Sequence, residues 1–113
     1  MFLEVGMAGT MMLRKEDLKN LPPLYAQDGK GDAATVWVKF FCPWNQWTWF
    51  ATEFCPETRT FFGLVVGQET ELGYFSLDEL ESVRGRWGLK IERDRHFEPV
   101  TLGTLRRRLE AAA

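Results

Sequence analysis

Two groups of residues in this 113-residue chain have the types and spacing that proton transfer uses. Glu92, Asp94 and His96 alternate with Arg93 and Arg95, so in an extended segment both carboxylates and the imidazole would share one face. A histidine beside a carboxylate is a common general acid–base pair. Glu53 stands next to last in the run WTWFATEF and falls on an apolar face opposite Val36, where a carboxylate with no partner could give or take a proton. An arginine from segment 84–95 reaching that strand end would instead make it a structural ion pair. No Ser or Cys stands in a nucleophile motif such as GxSxG, so neither group extends to a triad. With one His and no CxxC or HxxxH spacing, the chain offers no zinc ligand set, and neither metal nor cofactor is expected.

A third constellation could bind instead of react. Trp37, Phe41, Phe50, Phe54 and Phe62, with Lys39 among them, would form a stacking platform for single-stranded nucleic acid if they shared an open sheet face. Arg106, Arg107 and Arg108 would add cations for the phosphates. Glu69 and Glu71 fall on the same face and would repel phosphate, which ranks a protein partner ahead of nucleic acid. The same second face could also pair two copies of the chain as a homodimer.

These side chains are positioned by a stretch, Ala34 to Ser76, that holds four of the five tryptophans and reads as a four-stranded antiparallel meander. Ala34–Cys42 is expected to pair with Trp47–Phe54 around the loop Pro43–Gln46, with Cys42 opposite Trp47. Thr60–Val66 returns after a turn at Cys55–Arg59, and Gly67-Gln68 should reverse the chain as a two-residue type II′ turn into Glu69–Phe75. This register puts Val36, Val38, Phe40, Cys42, Trp47, Trp49, Ala51, Glu53, Phe61, Val65, Leu72 and Tyr74 on a core face, and Phe54, Leu64 and Phe75 with the stacking candidates on the other. A sheet apolar on both faces needs two covers. Leu13–Leu21 supplies a short amphipathic helix with Leu13, Leu18 and Leu21 inward, stopped by Pro22-Pro23. Ser76-Leu77-Asp78-Glu79 reads as a capping box opening a helix to about Val83. Leu89–Phe97 reads as a fifth extended segment, and Thr101–Leu109 as a helix whose last turn carries the three arginines. The fold class is therefore α+β: a four- to five-stranded antiparallel meander sheet with short flanking helices.

Length and composition fit one domain, residues 11–113, preceded by a poorly ordered extension over residues 1–10. The opening segment carries Glu4 and is broken by Gly6 and Gly9, which argues against a secretory signal, and no apolar run reaches the roughly 20 residues of a membrane helix. A cytoplasmic location follows as the expectation. The hairpin register holds Cys42 and Cys55 a strand's length apart, roughly 25 Å at about 3.3 Å per residue. That is far beyond disulfide reach, so two free thiols are expected. The Gly29-Lys30-Gly31 segment precedes a strand and does not open a helix, so it is no nucleotide fingerprint. Charge is uneven: residues 40–82 carry seven acids and one base, residues 83–110 eight bases and four acids. The two parts could neutralise each other or leave a basic end facing a partner.

LRKEDLKNLPPLY (Leu13–Tyr25), VKFF and WTWFATEF (within Val38–Phe54), TFFGLVVG with ELGYFSLDELESVRG (within Thr60–Gly85) and GLKIERDRHFEP (Gly88–Pro99) together resemble the bacterial family called domain of unknown function 2958. The resemblance spans roughly residues 11–105. It brings no assigned activity, but it implies a short protein of plasmids and other mobile elements, with conjugation, anti-defence or DNA maintenance as settings. Together the readings favour a small non-enzymatic binding protein of a mobile genetic element. The alternatives are a small enzyme using Glu53 or Glu92/Asp94/His96, and an acidic nucleic-acid mimic acting as an anti-defence inhibitor.

Overall fold

The computed structural model describes residues 12–113, so the extension expected over residues 1–10 lies outside the described residues. Helix α1 (Lys15–Asn20) leads through a loop to β1 (Thr35–Val36), β2 (Val38–Phe41), β3 (Thr48–Cys55), β4 (Thr60–Val66) and β5 (Thr70–Ser76). Helix α2 (Leu77–Ser82), β6 (Glu92–Arg93), β7 (Val100–Thr101) and helix α3 (Leu102–Ala112) follow. The main sheet is antiparallel with order β5-β4-β3-β2-β6, and β1 pairs with β7 in a separate two-stranded sheet. This is the expected α+β meander with β6 as its fifth strand.

The hairpin β2–β3 has the expected register, Val38 opposite Ala51 and Phe41 opposite Thr48, with the Cys42 amide donating to the Trp47 carbonyl at 3.0 Å. Two departures re-sort the faces farther on. A bulge at Thr52 shifts the β3–β4 pairing, so Phe54 stands opposite Phe61 on the first face and Glu53 opposite Phe62 on the second. The reversal after β4 is one residue longer than a two-residue turn: Val66 pairs with Thr70, the Gly67 amide donates to the Glu69 carbonyl at 3.0 Å, and Gly67 is not among the positive-φ glycines a II′ turn needs. A one-residue slip reverses every side chain of a strand. Phe75 therefore enters the first core, stacked on Phe61 at 5.0 Å, while Leu72 and Tyr74 move to the second face.

Both faces are covered. The first core holds Val38, Phe40, Ala51, Phe54, Phe61 and Phe75 under Met12, Leu21, Leu77, Leu80 and Ile91. The second holds Val36, Phe50 and Leu64 under Leu102 and Leu105 of α3, which Thr101 caps by accepting the Thr104 amide. Val36 joins this second core because the strand breaks at Trp37, so β1 leaves the main sheet for β7. Leu18 is half exposed, and the buried residue of α1 is Asp17. The Ser76 hydroxyl caps α2 by accepting the Glu79 amide at 3.1 Å. Cys42 is buried, Cys55 partly so, and both are free thiols, as the register implied. Among the described residues, no helix is long and apolar enough to cross a membrane.

Candidate functional site

Of the sequence's candidate carboxylates, Glu53 and Asp94 are engaged in holding the chain together. Glu53 is 3% exposed, and its two oxygens accept the amides of Tyr25 (2.7 Å) and Gln27 (2.8 Å). The expected arginine partner from 84–95 is replaced by these backbone donors, because the bulge turns Glu53 to the second face, under the loop that follows Pro22-Pro23. Tyr25 sits there at φ 75, a left-handed conformation costly for a non-glycine residue. Gln27 completes the anchor: its side-chain amide donates to the Thr35 and Thr52 carbonyls and its oxygen accepts the Thr35 amide.

Glu92, Asp94 and His96 do not form the expected strip, because only Glu92–Arg93 is strand. The chain turns at Asp94, whose carboxylate accepts the His96 amide at 2.9 Å and lies 3.4 Å from Lys39 Nζ. Glu92 and His96 are exposed. Arg93, one of the arginines of segment 84–95 that could have met Glu53, pairs elsewhere. Its guanidinium is buried and forks onto Asp17, with Nη2 2.8 Å from Oδ1 and Nη1 on Oδ2. Burial alone would raise the Asp17 carboxyl, but the Arg93 hydrogen bonds and the Arg14 amide outweigh it and hold the group below its ordinary range.

The stacking candidates do not share one surface. Phe50 is buried in the second core and Phe54 in the first, on opposite sides of the sheet. Trp37 packs against the first core, and Phe41 and Phe62 are partly covered. Lys39 lies 5.8 Å from the Phe50 ring. Glu69 and Glu71 are exposed near the sheet edge, on the first face's side. Arg106 lies 3.7 Å from Asp32, and Arg107 bonds Thr104. Because α3 runs on to Ala112, the three arginines lie inside the helix and not in its last turn.

What the fold does gather is tryptophan. The β2–β3 loop, closed by the Asn45 side chain accepting the Trp47 amide at 2.9 Å, presents Trp44 and Trp47, and β3 presents Trp49. Trp44 lies over Gly85, where a Cβ would come within 2.6 Å of the indole, and the Trp47 ring covers Gly67 just as closely. At either position a larger residue would have to displace the ring. Between these rings, Phe75 and the α2 residues Leu80 and Glu79 runs an open groove of about 320 Å³, floored by Cys42 and Ile91. Trp47 and Trp49 stand 5.9 Å apart, centre to centre. Past Trp47 the surface continues as a trough of about 360 Å³ along Val65, Gln68, Glu69, Glu71 and Leu72. The charged side chains lining both are acidic: Glu79, Glu69 and Glu71. Burial raises the Cys42 thiol, which keeps it from serving as a thiolate. Among the described residues, no three His, Cys, Asp or Glu side chains come together as a metal site.

A family model described as Protein of unknown function (DUF2958) matches residues 10–112. The chain belongs to this family. No curated protein and no solved structure matches it. The match covers every element that builds the DUF2958 groove, from the β2–β3 loop to α2 and Ile91. Sequence reasoning assigned Trp44, Trp47 and Trp49 to loop and core and missed the groove. The available signal was the doublet Trp44-x-x-Trp47 across a hairpin loop, with glycines at 67 and 85 free to receive the rings.

Proposed function

We propose that the chain is a small non-enzymatic binding protein that docks on a protein partner by taking a basic, apolar segment into the Trp44–Trp47–Trp49 groove. The observation that carries this reading is the pairing of three indoles with a lining whose charges are all carboxylates. Indole faces attract apolar and cationic side chains alike. Carboxylates beside them favour Arg or Lys and repel phosphate, which weighs against nucleic acid in this groove. Catalysis draws little support, since Glu53 is saturated by amides and Asp94 and His96 are parted by a turn. The acidic-mimic reading is thinned by Arg59, which pairs with both Asp78 and Glu81 at 2.6 Å and offsets one of their two charges. A mobile genetic element, with host defence or DNA maintenance as its business, is the setting we propose for this docking.

Selection of a displayed peptide library on the purified protein tests the reading. Enriched peptides should combine Arg or Lys with aromatic or aliphatic residues, and should lose binding to Trp49→Ala and Glu79→Lys proteins. Enrichment without basic residues, or binding indifferent to both substitutions, would contradict it.

A further inference from the structure

The two edges of the main sheet differ. The β6 edge is two residues long, whereas β5 is a seven-residue edge strand with no proline and no bulge. Such an edge is a template for another strand unless something blunts it. Its sole charge, Glu71, projects to the first face, opposite Val65.

The phase of the β4–β5 ladder fixes which backbone groups are free. The Gly67–Glu69 bond at one end and the Leu77 amide on the Arg59 carbonyl (2.9 Å) at the other place the hydrogen-bonded pairs at odd-numbered β5 residues. The N–H and C=O groups of Thr70, Leu72 and Tyr74 therefore point away from β4 and have no backbone partner among the described residues. On the second face beside them, Leu72 is 44% and Tyr74 56% exposed, with Tyr74 edge-on to Phe62 at 5.0 Å. An open edge and an apolar flank thus coincide on one strand.

We infer that this edge is occupied by β5 of a second copy of the chain, antiparallel and centred on Gly73. In that register Leu72 and Tyr74 of each copy exchange their outward hydrogen bonds, and each Leu72 stands opposite the other copy's Tyr74. Gly73 meets its own symmetry mate in the close, non-hydrogen-bonded position, and a Cβ on Gly73 would have no neighbour within 4 Å in the single chain. Glu71 falls opposite Phe75 of the other copy. The two Glu71 carboxylates are then about 13 Å apart along the strands, beyond the roughly 8 Å screening length of physiological salt. A slip that centred the pair on Leu72 would halve that separation. Residues paired across a sheet point to the same side, so the Trp grooves of both copies would open on one side of a continuous sheet. Leu72 and Gly73 also line the outer end of the acidic trough, so the pairing narrows that end and does not involve Trp44 or Trp49.

Light scattering after size exclusion, over a concentration series, should show the wild-type chain shifting to twice the monomer mass. Leu72→Lys should raise the dimer dissociation constant at least about tenfold. In a Cys55→Ser background, Gly73→Cys should give a covalent dimer on mild oxidation, whereas Thr70→Cys, opposite Ser76 of the other copy, should form no covalent dimer. A monomer at every concentration would overturn the inference, as would a dimer in which Thr70→Cys links as readily as Gly73→Cys. Loss of peptide binding with the dimer intact would instead count against the groove alone.

Discussion

Asp17 and Arg93 form an ion pair with both side chains 7% exposed, which ties α1 to the edge strand β6. Removing one partner strands the other charge, so Asp17→Asn should cost about 3–5 kcal/mol, read as a fall in denaturation midpoint. The Asp17 carboxyl is held below its ordinary value of 3.8 in the fold. Its contribution is therefore complete above that value and is lost as pH falls through the lower, folded-state one. The melting temperature of the wild type should drop on acidification below pH 3.8, and part of that drop should be missing in Asp17→Asn. Glu53→Gln replaces a two-amide acceptor by a group with one acceptor oxygen and should cost about 1.5–3 kcal/mol. A melting temperature unchanged by Glu53→Gln would show that the carboxylate does not anchor the 24–29 loop. Sequence reasoning located Glu53 as buried but could not supply its partners, because backbone amides leave no trace in residue type. The same limit hid Asp17, which alternation of charges on a short helix marks as solvent-facing.

At the scale of elements, the meander and the β2–β3 register were legible because aromatic and β-branched residues run to either side of a Pro-Trp-Asn-Gln loop. The β4–β5 register was not, since a Gly-Gln pair is an acceptable two-residue turn and only the packing of Phe75 on Phe61 separates it from the longer reversal. The bulge at Thr52 was equally silent: its hydroxyl bonds the Phe62 carbonyl at 3.0 Å and its carbonyl holds Gln27, both contacts made with distant parts of the chain. Two glycines in the paired strands separate the effects of packing and propensity. Gly63→Ala would drive a Cβ into the Phe50 carbonyl and should cost at least about 1–3 kcal/mol, whereas Gly73→Ala meets no neighbour in the single chain. Equal midpoints for the two alanine variants in urea, at a concentration where the chain is monomeric, would contradict the register given for β3, β4 and β5.

Over the whole molecule, each face of the sheet carries a core, the first under Met12, Leu21, α2 and the Ile91 segment and the second under α3. Open beside these covers are the tryptophan groove with its acidic trough and the β5 edge. The aromatic content of the sequence suggested a binding surface with Trp37, Phe41, Phe50, Phe54 and Phe62 on one face, whereas the bulge in β3 and the docking of α3, both decided by tertiary packing, divide Phe50 and Phe54 between two cores. The central claim is that the groove takes cationic, apolar side chains. Intrinsic tryptophan emission, followed while a short Arg/Leu-rich peptide is titrated against the wild type and against Trp44→Ala and Trp49→Ala, tests it most directly. The account predicts a saturable change in the wild type that both substitutions weaken, and little response to a polar peptide of equal charge. It would be contradicted if the variants bound the peptide as well as the wild type. It would also be contradicted if a single-stranded oligonucleotide bound instead, with a log–log salt slope of about −0.7 per phosphate neutralised.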